Sequence, residues 1–220
     1  LPLIGVPPSA ERRDAARSGL AVALAGGLNA IAAGAVLPLA VVWLAQVPRG
    51  RARRRLATWW ALAAAAGIGW WLGPLVLLGR YSPPFLDWIE SAAVTTSMAG
   101  PGNALRGVSH WVGWLGGSAA VWPAASQVAG SPQLIVLGWC VVALGLAAFF
   151  HRSTPHRTFL VGGAVIGLAA LTMGHVQPGG APWAGLIRDL LDGPGAALRN
   201  THKFDVLLRL PLSLGLAHTV

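Results

Sequence analysis

The stretch LRNTHKFDVLLRLPL sets Arg199, Asn200, His202, Lys203 and Asp205 against the start of an apolar run, with Arg209 about a turn inside it. Ammonium, imidazole, amide and guanidinium groups gathered at an apolar boundary suit the oxygens of a phosphate held at lipid-headgroup depth. The same residue types also serve as interfacial anchors whose stems snorkel toward water. Spacing alone leaves those two readings even. Asp205 has a further reading, as the N-cap of a helix that starts at Val206.

Carboxylates occur in YSPPFLDWIESAAVTT, residues 81–96. Pro83 and Pro84 give a start signal, and Phe85, Leu86, Ile89, Ala92 and Ala93 fall on one helical face with Asp87, Glu90 and Ser91 opposite. The spacing predicts a short helix along a membrane surface, its two carboxylates facing water or a cleft. Trp183, Leu186, Ile187, Leu190 and Leu191 repeat the pattern, with Arg188, Asp189 and Asp192 on the polar side. Both helices also read as braces that only fix their neighbours, and for the second the brace is the favoured reading.

No phosphate-binding glycine loop, dinucleotide fingerprint or zinc motif occurs, and the six histidines are scattered, so neither a metal nor a cofactor is expected. Cys140 is alone in an apolar stretch and reads as packing.

The elements that must carry these groups follow from hydropathy. Charged residues are 10% of the chain and apolar ones 55%, in blocks of bilayer-spanning length, whereas a soluble domain carries roughly 25% charged residues. The expected fold is all-α, a polytopic transmembrane helical bundle with short amphipathic interfacial helices in its extracytoplasmic loops. Expected spans cover about 20–45, 56–78, 134–150 and 158–173, with another cut short from 206. The first contains Asn29, a candidate interhelical hydrogen bond or cavity lining, and Pro38. The expected extracytoplasmic loops are about 79–133 and 174–205. Trp59 and Trp60 suit an interfacial belt.

Orientation rests on arginine. PRGRARRR, from Pro48 to Arg55, lies between two apolar blocks without an acid, and HRSTPHR at 151–157 repeats the signal, so both connectors are expected in the cytoplasm. All seven acids, Glu11, Asp14, Asp87, Glu90, Asp189, Asp192 and Asp205, then fall outside. So do Arg12, Arg13 and Arg17, against the rule, unless the segment is re-entrant or lies on the surface. The net charge of +9 is explained by topology; no aromatic RNA-binding pattern surrounds it, and nucleic acid is not an expected partner. The chain starts at Leu1 and stops at Val220 within an apolar run, so it is expected to be an internal piece of a longer protein.

YSPPFLDWIESAAVTT and LDGPGAALRNTHKFDVLLRLPLSLGLAH, together with GGLNA at 26–30 and SHWVGWL at 109–115, resemble the membrane region of the actinobacterial alpha-(1→3)-arabinofuranosyltransferase family. The resemblance implies a C-type membrane glycosyltransferase of the plasma membrane, multi-pass, with an extracytoplasmic active face. Its implied donor is decaprenyl-phosphoryl-arabinofuranose, and its acceptor an arabinan of arabinogalactan or lipoarabinomannan. The principal catalytic acid of such enzymes is expected upstream of Leu1, which would leave the chain alone inactive. On this basis Lys203, His202 and Arg209 are expected at the donor phosphate, Glu90 with Asp87 as auxiliary catalytic carboxylates, and Asn200 and Asp205 at substrate. A transporter or flippase of lipid-linked sugars is the alternative, though such proteins more often carry ionisable residues in mid-span. A noncatalytic scaffold would tolerate substitution of the clusters.

Overall fold

The computed structural model describes residues 12–26, 30–81, 88–116 and 119–219. The regular elements among them are helices, with an isolated bridge between Gly116 and Ala120. They fall into two units, Leu1–Trp88 and Ile89–Val220.

The first unit holds α1 (Arg12–Gly26), α2 (Ala30–Gln46) and α3 (Arg51–Gly79). Small residues let α1 and α3 meet backbone to backbone: a Cβ on Gly19 would stand 2.5 Å from the Ala63 Cβ, and one on Gly67 2.9 Å from the Ala23 Cβ. Beside this seam the Trp60 indole donates to the Ser18 hydroxyl at 2.9 Å. Trp60 is therefore buried in the seam and is not an exposed belt residue. Residues 18, 19 and 23 match 60, 63 and 67 in ascending order, so α1 and α3 run parallel. Three residues separate Gly26 from Ala30 and four separate Gln46 from Arg51, so α2 runs back between the far end of α1 and the near end of α3.

This geometry alters the expected path of the 20–45 block. It is shared by two helices of opposite direction, and Arg13 and Arg17 stand at the same end as Arg49 to Arg55. The conflict with the arginine rule disappears, because the chain reverses where one tilted or kinked crossing had been expected. Asn29 lies outside the described residues.

Helix α3 has 29 residues, about 43 Å, and only 6% of its most apolar window is buried. The stretch Pro132–Phe150 is similar, with 22% buried. A soluble core helix would bury most of such a window. Both helices are long and apolar enough to cross a membrane.

The second unit contains α4 (Ala92–Thr95), α5 (Pro101–Arg106), α6 (Pro123–Gly130), α7 (Pro132–Ala147), α8 (Arg157–Thr172), α9 (Ala184–Asp192) and α10 (Asp205–Thr219). Prolines begin α5, α6 and α7, where their missing N–H costs no helix bond. Between α7 and α8 the Thr154 hydroxyl donates to the Ala148 carbonyl at 2.6 Å and the Arg157 guanidinium to the Phe149 carbonyl. Helix α10 packs on both: Gly145 of α7 meets the Leu212 carbonyl, and Gly167 of α8 meets Leu207 and Leu208. Cys140 is exposed on α7, so the expectation that it serves packing within the chain is corrected.

Candidate functional site

Arg199 organises the polar end of the second unit. Although 4% exposed, its guanidinium pairs with Asp192 at 3.1 Å and donates to the Leu191 carbonyl at 3.2 Å and the Glu90 carbonyl at 2.9 Å. The Thr95 hydroxyl donates to the Arg199 carbonyl at 2.9 Å, and the Ala92 amide to Asp192 at 2.7 Å. Below it, Arg188 donates to the Thr96 hydroxyl at 3.0 Å and the Gly174 carbonyl at 2.8 Å. The Glu90 segment, α4, α9 and the 199–204 segment are thus joined.

These bonds explain why the described residues 89–91 are not helical where a helix had been expected. The Glu90 carbonyl and Ala92 amide, which a continuous helix would use internally, are taken by Arg199 and Asp192. The helix begins only at Ala92, with Ser91 as its N-cap and Glu90 before it. The Glu90 side chain is exposed. Asp87 lies outside the described residues.

Arg188 and Asp192 of α9 bond to neighbouring segments, while Leu186 and Leu190, with Trp183 just before the helix, are 71%, 49% and 60% exposed. Apolar exposure on this scale calls for a lipid or protein cover.

Residues 201–204 form a 3-10 turn leading into α10. The His202 ring lies against that of His110, with centroids 3.9 Å apart and planes tilted by 39°. His110 is fixed in turn: its Nδ1 accepts from the Val112 amide at 3.2 Å, and its ring meets Trp122 edge-on at 5.5 Å. With Nδ1 an acceptor, the neutral ring carries its proton on Nε2. Burial pushes His202 down to about 4, and the His110 ring and Lys203 ammonium act in the same direction. Burial also lowers His110. The pair is neutral at pH 7.

Lys203 is half-buried, and no ion pair among the described residues involves it. Beside it His202 Nδ1 and the Thr201 hydroxyl are buried without hydrogen-bond partners. One ammonium, one neutral imidazole and an unfilled hydroxyl make a set that can receive phosphate oxygens. His110, in contact with the His202 ring, also lines a cavity of about 270 Å³ with Trp114, Trp122 and small apolar side chains.

Asp205 and Arg209 lie beneath. The Arg209 guanidinium pairs with Asp205 at 3.0 Å and donates to the Leu105 carbonyl at 2.6 Å and the Ala104 carbonyl, closing the last turn of α5. Asp205 is the first residue of α10, and its carboxylate engages Arg209 where an N-cap bond to the helix amides had been expected. Asn200 caps the 201–204 turn without a side-chain bond to it. The structure therefore gathers His202, Lys203, Asn200, Asp205 and Arg209, and ties the Glu90 backbone to the same segment. The contact of His110 with this segment was not foreseen, and Arg199, singled out with the cluster, proves to be its buried structural tie. SHWVGWL offered an isolated histidine beside tryptophans, and neither pattern nor spacing linked it to a residue so distant in sequence.

The model of the alpha-(1→3)-arabinofuranosyltransferase N-terminal GT-C domain matches residues 1–220. An alpha-(1→3)-arabinofuranosyltransferase of Mycolicibacterium smegmatis is 39% identical over 94% of this chain, and one of Mycobacterium tuberculosis is 40% identical over 99%. The chain spans 14% and 15% of those relatives' lengths. No solved structure matches. The agreement over the whole chain places it in the alpha-(1→3)-arabinofuranosyltransferase N-terminal GT-C domain family.

Proposed function

We propose that this chain belongs to the multi-pass membrane region of an enzyme that transfers arabinofuranose from decaprenyl-phosphoryl-arabinofuranose to a cell-envelope arabinan, in arabinogalactan or lipoarabinomannan. The observation that carries the reading is Lys203, a half-buried ammonium without an ion pair beside neutral His202 and the unfilled Thr201 hydroxyl. In the reaction an acceptor hydroxyl attacks the anomeric carbon, and the bond from that carbon to the phosphate oxygen breaks. The phosphate leaves on the lipid with the bonding electrons, and a carboxylate accepts the hydroxyl proton.

Lys203 stabilises the departing oxygens, and His202 adds a neutral N–H where a second cation would cost desolvation. Arg209 acts from behind, holding Asp205 and the end of α5 so that the 201–204 turn keeps its place. Asn200 and Asp205 contact substrate polar groups. Glu90, with Asp87 in support, orients sugar or acceptor hydroxyls, while the principal base comes from outside this chain. The arginine-rich end of α1 and α3 faces the cytoplasm of the plasma membrane and the Lys203 segment faces the extracytoplasmic side, with the exposed side of α9 in the interface.

The test is transfer of labelled arabinofuranose by the full-length enzyme carrying Lys203→Ala or Glu90→Gln. Both substitutions are expected to reduce transfer. Normal rates in both would remove these assignments, and movement of the lipid-linked sugar across the membrane without transfer would favour a flippase.

A further inference from the structure

Between α2 and α3 the chain turns through residues 47–50, and Arg49, Gly50, Arg53 and Arg54 line a cavity of about 420 Å³. Five arginines fall within residues 49–55, and no acid occurs between Asp14 and Asp87. Asp14 pairs with Arg17 at 3.7 Å, and no ion pair among the described residues uses any of the five. The arginine rule explains why cations sit in such a connector. It does not require three arginines to line one depression.

That arrangement is unfavourable when empty. Arg49, Arg53 and Arg54 set like charges around one depression, and Arg51 and Arg55, four residues apart on α3, repel as well. Gly50 begins the 29-residue α3 with no side-chain oxygen on its first amides, so the positive end of that helix adds to the same field. A phosphate in the hollow neutralises all three sources, and paired oxygens fit the planar fork of arginine.

The helix surface beside the cavity narrows the class of ligand. After Arg55 α3 becomes apolar, and Leu62 is 55% and Trp70 65% exposed. An anion that also covers this surface needs a hydrocarbon portion. We propose that Arg49, Arg53 and Arg54 bind the phosphate headgroup of an anionic phospholipid, whose acyl chains run along α3. This assignment does not rest on the proposed transfer reaction.

Purified full-length protein in neutral detergent tests this with phosphatidylglycerol, phosphatidylcholine and inorganic phosphate, read by native mass spectrometry and thermal unfolding. Phosphatidylglycerol is expected to remain bound through delipidation and to raise Tm, with phosphatidylcholine at least several-fold weaker. Arg49→Gln/Arg53→Gln/Arg54→Gln should abolish that preference, and Arg13→Gln/Arg17→Gln should retain it. Equal retention of the two lipids by the unsubstituted protein would overturn the proposal even if the triple variant fails to fold. So would full stabilisation by inorganic phosphate alone, or occupation of the arginines by an acidic protein with no lipid preference.

Discussion

His202 rests against His110 with ring centroids 3.9 Å apart, and the Val112 amide fixes the orientation of the second ring. Burial disfavours a proton on His202, and the His110 ring and the Lys203 ammonium oppose one there as well. The local positive charge is therefore concentrated on Lys203.

The sign of the pH dependence follows. The folded protein holds His202 near 4 against 6.5 for the free side chain, so below about pH 6.5 the unfolded chain binds a proton that the folded one does not. Stability should fall as pH drops from about 6.5 to 4 and then level off. His202→Phe should flatten that part of the curve. Thermal unfolding between pH 4 and 8 in a fixed detergent checks it, and an unchanged slope in the variant would remove the buried neutral histidine.

Arg199 should be more sensitive than its position in a loop suggests. Replacing it with Gln breaks a charge pair with Asp192 and frees the Glu90 carbonyl, a loss of about 2–3 kcal/mol. Lysine should not rescue it, because one ammonium cannot reproduce the planar fork that reaches Asp192, Leu191 and Glu90 together. Denaturation midpoints, with hydrogen exchange across residues 89–96, provide the readout.

The glycines of the helix seams should divide by contact. Gly167→Ala places a Cβ 2.5 Å from the Leu208 amide nitrogen, and such overpacking costs about 1–3 kcal/mol. Gly69→Ala meets nothing within 4 Å and should stabilise α3 by up to about 1 kcal/mol. Paired Tm measurements in one detergent separate the two.

Hydropathy located α7 and α8 closely because uninterrupted apolar runs leave little choice of secondary structure. It also identified α9, whose apolar spacing is regular, but not that Arg188 and Asp192 bond to the Ala92–Thr96 segment. The reversal between α1 and α2 was hidden because periodicity carries no direction; it emerges from Gly19 and Gly67 meeting α3 and α1 in register. Glu90 shows the same limit, since its helical pattern is genuine but loses to tertiary bonds from Arg199 and Asp192. Lys203 and His202 stood out by density alone, whereas His110 needed the fold to bring it across.

Donor kinetics of Lys203→Ala and Lys203→Arg in the full-length enzyme test the central assignment most directly. The expected result is a fall of about 10²-fold or more in kcat/KM for the lipid-phosphate donor with alanine, partial recovery with arginine, and an unchanged KM for the acceptor. Unaltered donor kinetics in a folded Lys203→Ala enzyme would contradict the phosphate site.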